Sequence, residues 1–370
     1  MRQFTLIMLV IGLLAVPWIF DNPFDKADSR FSRQLYVYNW SDYIQDDILP
    51  TFQEQTGIKV HYDVFDSAET LQGKLLLGKS GYDIVAPSTG TAIRQIEAGI
   101  FQPLDKSKIS NYKHVDPNIL RLLQEEDPGN RYLIPNIWGA NTIGGNITEL
   151  KKRIPEWPEN EWDLLFDPKY AAKLQSCGIS ILDSYSEIYP IVLHYLGKNT
   201  KNPSKADLVA ANDTLRKIRP YLKRFSSSGY INDLSSGELC LALGFNGDFT
   251  IARERTEEAG KPLDIHTILP KTGVGIWVDN LAIASTAENI DESYAFIDYL
   301  LDPKVAAKNA EYVTYGSGCL TAKEYMDENL AQNEEIFLPD RVLDKSFLIT
   351  KLPKEDLRWL SKQWTLLKKN

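Results

Sequence analysis

Three stretches of this 370-residue chain put an aromatic ring close to an acid at the end of, or within, an extended apolar run. They are Trp40-Ser41-Asp42-Tyr43, Phe245-Asn246-Gly247-Asp248 and Trp277-Val278-Asp279. Ring faces attract ammonium groups and cover methylenes, and carboxylates accept charge-assisted hydrogen bonds. The combination therefore suits a cation with an alkyl body. A cation–π contact contributes roughly 0.5–2 kcal/mol depending on desolvation. Desolvating the ammonium group costs more, so the acids rather than the rings decide whether charge is tolerated. Taken singly, each cluster reads as core packing beside a turn or helix cap. Three clusters of one chemistry, at strand ends of two lobes and in a crossing, favour a ligand role without identifying the ligand.

Other chemistries lack their motifs. The chain has no GxGxxG, no GxxxxGK(S/T) and no GxSxG nucleophile elbow. Its four histidines (His61, His114, His194, His266) are scattered, with no pair at i, i+3 or i, i+4. A metal site built on His or Cys is not expected, and no cofactor is; an oxygen-only or tyrosinate site stays open. The formal charge of −9 argues against nucleic acid and suits either a cationic partner or plain solubility.

Strand and helix patterns must position these residues. "LYVYN" alternates as a strand, "DDILPTFQEQTG" reads as a helix stopped by Gly57, and "IKVHYDVF" is a second strand. "SAETLQGKLLLGKSG" opens with Ser-x-x-Thr, runs as an amphipathic helix and ends on glycine; "YDIVAPST" is a third strand. Connections this short predict a parallel, doubly wound sheet with ligands beyond the carboxyl ends of its strands, where residues 39–43 and 87–89 fall. Residues 131–146 are extended and Gly-punctuated, and read as a first crossing between two lobes. A second α/β unit follows, running through "CGISILD" and "SGELCLALGFNGD"; "GVGIWVDNLAIAS" reads as the return crossing, and a mostly helical tail carries Trp359 and Trp364. The chain is longer than one core supports, so two discontinuous lobes are expected.

The N-terminus "MRQFTLIMLVIGLLAVPWIF" has one Arg before an apolar run, as a secretory segment does, without a clear cleavage site. Export is expected, with a retained anchor as the alternative. Of Cys177, Cys240 and Cys319, an exported chain would bridge two. The count does not choose the pair, although Cys177 and Cys240 both flank strand-like runs.

"YNWSDYI", "TGIKVHYDVFDSAETLQGKLLLGKSGYDIVAPS", "GIFQPLDKSKI", "INDLSSGELCLALGFNGD", "DNLAIAS" and "YLLDPKVAA" together resemble the periplasmic polyamine-binding proteins of ABC transporters, in particular the putrescine-binding type. The similarity runs from about Leu35 to the C-terminus. It implies a two-lobed α/β fold of type II periplasmic binding proteins, with a hinge and an interlobe cleft, and no catalysis. On that reading residues 1–30 are a signal peptide or anchor plus spacer. Lobe one is 31–138 with 277–320, and lobe two is 139–276 with 321–370. The expected role is capture of putrescine and/or spermidine in the periplasm by a monomer that delivers it to an inner-membrane permease.

Carried over by motif, the ligand residues are Trp40, Ser41, Asp42, Tyr43, Ser88, Glu187, Phe245, Asp248, Trp277, Asp279 and Tyr315. Asp279 and Asp248 are expected to grip opposite ends of the ligand, with Glu187 and Asp42 assisting and the rings covering its methylenes. The family disulfide falls on Cys177 and Cys240; closing that loop stabilises by about 4 kcal/mol in the chain-entropy model. Three positions depart from the family pattern. Phe245 replaces a common Trp, Trp277 replaces the Phe of putrescine-type members as spermidine-type members do, and Gly90 stands in place of a second Ser. The alternatives are a binding protein for another cationic solute, a polyamine sensor without transport, and an enzyme using a carboxylate pair on a cationic substrate.

Overall fold

A computed structural model describes residues 31–369 apart from Ser67, Leu77, Lys79 and Glu125. The apolar N-terminal run and the Ser67 helix start lie outside the described residues. Strand β1 (Arg33–Trp40), helix α1 (Ile48–Thr56), strand β2 (Ile58–Phe65), helix α2 (Ala68–Leu76), strand β3 (Ile84–Val85) and helix α3 (Thr89–Glu97) follow in the expected order. β1 runs parallel to both β2 and β3, with Leu35 opposite Val60 and Val37 opposite Ile84. Gly57 ends α1 in a left-handed conformation, φ 69°, and donates its N–H to the Gln53 carbonyl. Side chains of β1 enter different cores on the two sheet faces. Leu35 and Val37 pack with Ile48 and Phe52, whereas Tyr38 packs with Phe65 and Leu71.

The remaining strands are β4 (Ile134–Asn146), β5 (Ile179–Ile181), β6 (Arg224–Phe225), β7 (Leu241–Phe245), β8 (Ile265–Ile268), β9 (Gly275–Ile283), β10 (Gly316–Ser317) and β11 (Phe347–Leu348). The main order is β2-β1-β3-β9-β4-β7-β5-β6. β5 pairs in parallel with β6 and β7, making the second α/β unit. β9 is antiparallel to both β3 and β4, and so joins the two units into one continuous sheet.

Both long strands change cores part-way along. Ile134 of β4 packs in the Leu35 core, but Trp138, Ala140 and Ile143 belong to a larger core with Ile179, Leu241 and Phe249. In β9, Val278 belongs to the larger core and Leu281 to the smaller one. Two lobes result, and Asp279 stands where β9 passes from one to the other. A final helix, Lys354–Lys369, returns to the larger core through Leu360, Trp364 and Leu367. Cys177 and Cys240 form a disulfide in that lobe, 63 positions apart; Cys319 is a buried thiol.

Candidate ligand cleft between the lobes

A cavity of about 470 Å³ opens where the lobes meet. The end of β1 and its following loop bring Trp40 and Tyr43 to it, and the turn after β3 brings Ser88. From the opposite side come Glu187, in the first turn of the helix Tyr185–Tyr195, and Phe245, the last residue of β7. Trp277 and Asp279 of the crossing strand β9, with Tyr315, complete the wall.

Asp279 is only 4% exposed. Ser88 donates its hydroxyl to one Asp279 oxygen, and Tyr43 donates to the other at 2.8 Å. Ser88 caps the start of α3 by position, yet its hydroxyl serves the acid rather than the helix. Burial pushes the Asp279 carboxyl up to about 6, against the opposing effect of its two hydroxyl donors. Asp248 lies in the first turn of the helix Asn246–Glu258 and receives hydroxyls from Tyr230 at 2.7 Å and Tyr315 at 2.6 Å. Burial raises its pKa as well, again opposed by those hydroxyls. Burial also raises Glu187, opposed by the nearby polar side chains of Ser184 and Asn141, while the charge of Asp279 adds to the rise. Desolvation, reinforced by the neighbouring acids, lifts the Tyr43, Tyr230 and Tyr315 phenols well above their ordinary range, so they act as neutral donors.

The rings interlock at right angles. Trp277 meets Tyr315 edge-on with centroids 5.0 Å apart, and Phe245 meets Trp277 at 6.2 Å and 88°. Glycines make the room. A Cβ on Gly139 would enter the Trp277 ring, and one on Gly247 would meet the Thr314 carbonyl at 2.5 Å and the Tyr315 ring at 2.6 Å. Among the described residues, no group of three His, Cys, Asp or Glu side chains could hold a metal ion.

Eight of the eleven expected residues line the cavity: Trp40, Tyr43, Ser88, Glu187, Phe245, Trp277, Asp279 and Tyr315. Asp248 stands behind Tyr315 and reaches the cavity through that phenol rather than as a lining residue. Ser41 and Asp42 do not line the cavity in this structure. The Ser41 amide continues the pairing of β1 with β2 by donating to the Phe65 carbonyl at 3.1 Å. That turns its hydroxyl to Asp66, 2.7 Å away. Asp42 then takes a left-handed φ of 57° and points into solvent.

Sequence reading missed two groups. Residues 349–351 line the cavity from the segment before the last helix, and Lys351 reaches Gln72 of α2 across the lobes at 3.5 Å. Tyr230 was passed over as well; its only sequence signal is Gly244, a glycine inside β7 whose Cβ would collide with the Tyr230 ring.

The model of the bacterial extracellular solute-binding proteins matches residues 48–337. The chain belongs to that family. Among its relatives, the putrescine-binding periplasmic protein PotF of Escherichia coli (strain K12) is 41% identical over 91% of this chain and 91% of its own. The putrescine-binding periplasmic protein SpuD of Pseudomonas aeruginosa (strain UCBPP-PA14) is 40% identical over 92% and 94%. The spermidine/putrescine-binding periplasmic protein of Escherichia coli (strain K12) is 32% identical over 92% and 91%. Among solved structures, the spermidine/putrescine ABC transporter substrate-binding protein PotD of Streptococcus pneumoniae, in complex with calcium and HEPES, superposes with a TM-score of 0.80. It shares 29% identity and covers 91% of this chain and 99% of its own. The fold of this solute-binding protein is the two-lobed type II fold of periplasmic binding proteins.

Proposed function

We propose that this solute-binding protein captures putrescine and/or spermidine between its lobes in the periplasm and hands it to an ABC permease in the inner membrane. The reading involves no catalytic step and treats the protein as a monomer. The observation that carries it is the state of the cleft acids. Asp279 and Asp248 are buried, face a ring-lined cavity or its backing phenol, and accept only hydroxyl hydrogen bonds. Among the described residues no Lys or Arg makes an ion-pair contact with Asp279, Asp248 or Glu187, although Arg255 acts on Asp248 from further off and Lys351 lines the cavity. A carboxylate buried without a counter-charge is costly, and a protonated amine entering the cavity supplies that charge. Trp40, Phe245, Trp277 and Tyr315 cover methylenes between the ends. The names of the 40–41% identical relatives support putrescine.

Ligand contacts from both lobes favour the closed form, so closure reports occupancy to the permease. A thermal-shift titration with putrescine, cadaverine, spermidine and spermine beside lysine and arginine tests the reading. Stabilisation by polyamines alone is expected; stabilisation by the amino acids and not by polyamines would overturn it.

A further inference from the structure

Tyr230 does not touch the cavity, is completely buried, and yet is hydrogen-bonded twice at the site. Its hydroxyl donates to Asp248 at 2.7 Å and accepts the Phe245 backbone N–H at 2.9 Å. Phe245 is the last residue of β7, and Asp248 sits in the first turn of the helix that follows without a loop. One phenol therefore closes the turn that carries both a cavity ring and a cleft acid. Its donor and one acceptor position are both used, and they fix the Asp248 carboxylate so that its other oxygen meets Tyr315 at 2.6 Å.

We infer that Tyr230 is a positioning residue for ligand capture, holding Phe245 and Asp248 as one unit against the cleft. The inference rests on the polyamine reading and adds to it a residue outside the cavity wall. No other described side chain bonds both members of the turn. The titratable and charged groups facing Asp248 are Tyr230, Tyr315 and Arg255, with Tyr43 and Asp279 beyond Tyr315. Among them Tyr230 and Tyr315 donate hydrogen bonds that favour the ionised acid. Deleting the Tyr230 hydroxyl removes one of those donors, so Asp248 holds its proton to higher pH and competes less well for a cation.

The experiment is calorimetry with putrescine on wild type and Tyr230→Phe from acid to neutral pH. Losing one hydrogen bond to a charged group predicts roughly ten-fold weaker binding. The acid limb of the affinity profile moves to higher pH, so the deficit widens as pH falls. Equal affinity, or a deficit that is the same at every pH, would overturn the inference. A ¹³C NMR titration of the Asp248 carboxyl without ligand separates it from the polyamine reading. The variant's midpoint should lie above that of wild type whether or not polyamine binds, and coincident midpoints overturn the inference. If Tyr230→Phe does not fold, the wild-type hydroxyl decides. A slowly exchanging Tyr230 hydroxyl proton close to the Phe245 N–H is expected, and its absence contradicts the assignment.

Discussion

Two pairs of buried acids in this molecule are solved in opposite ways. Asp83 and Asp127 are 2% and 1% exposed and sit among backbone donors. Asp83 accepts the N–H groups of Tyr36, Glu288 and Asn289, and Asp127 those of Arg131, Tyr132 and Leu133. Asp279 and Asp248 are nearly as buried, but all their donors are hydroxyls. A backbone amide is fixed in place and can only donate, so the first pair is held for good as structural ties between loops. A hydroxyl can turn and can also accept, so the second pair keeps acceptor capacity for an arriving cation. Burial depth alone therefore does not separate the two pairs; the type of donor does, and on the proposed function the hydroxyl-held pair is the one that meets the ligand.

The largest effects should fall on opposite properties of the two pairs. Asp279→Ala is expected to weaken putrescine binding by about 3 kcal/mol or more, over a hundred-fold, because a buried ammonium loses its counter-charge. Calorimetry giving near-native affinity would remove Asp279 from the site. Asp127→Ala leaves three backbone N–H groups without their acceptor and should lower stability by about 3 kcal/mol in urea unfolding, with the affinity of the folded protein unchanged. A variant that instead kept its stability and lost its ligand would reverse the comparison.

A pH series gives an intermediate effect. The Asp279 carboxyl is raised in the folded protein from 3.8 to about 6, so between these values the unfolded chain ionises first. Stability of the ligand-free protein from this group is therefore present below 3.8 and is lost as pH rises towards 6. Ligand binding runs the other way, since a cation needs the ionised acid. Putrescine affinity should fall by up to about ten-fold per pH unit once pH drops below the raised carboxyl. Asp42→Asn gives the smallest effect, with affinity and stability each changed by less than about 0.5 kcal/mol, because the side chain is solvent-exposed and away from the cavity.

Much of the scaffold could be read from the chain because its signals are local. The alternation of β1, α1, β2, α2 and β3, the stop at Gly57 and the two extended crossings each follow from periodicity or one residue's backbone freedom. Trp40, Ser88 and Phe245 could be placed at the cavity because they fall at or just past strand ends, where such sheets carry ligands. Asp279 lies inside β9 and is indicated instead by its ring–acid cluster and the family motif. Ser41 and Asp42 stand off the cavity wall for a reason just as local but invisible in the pattern. One more hydrogen bond beyond Trp40 rotates the next side chain to Asp66. Long-range features were out of reach: the antiparallel pairing of β9 with β3, the return of residues 349–351 to the cavity, and the contact of Tyr230 with Asp248. None of these has a spacing in the sequence, since each is set by packing between segments far apart in the chain.

The most direct test of the hydroxyl-held acids as the ligand's counter-charge is a proton count. Putrescine binding is measured calorimetrically at about pH 5.5 in two buffers of different ionisation enthalpy, where the raised Asp279 carboxyl is largely protonated. Release of protons on binding is the predicted result, reduced in Asp279→Asn if that variant still binds. Binding of normal strength with no proton release, or with proton uptake, would contradict the account.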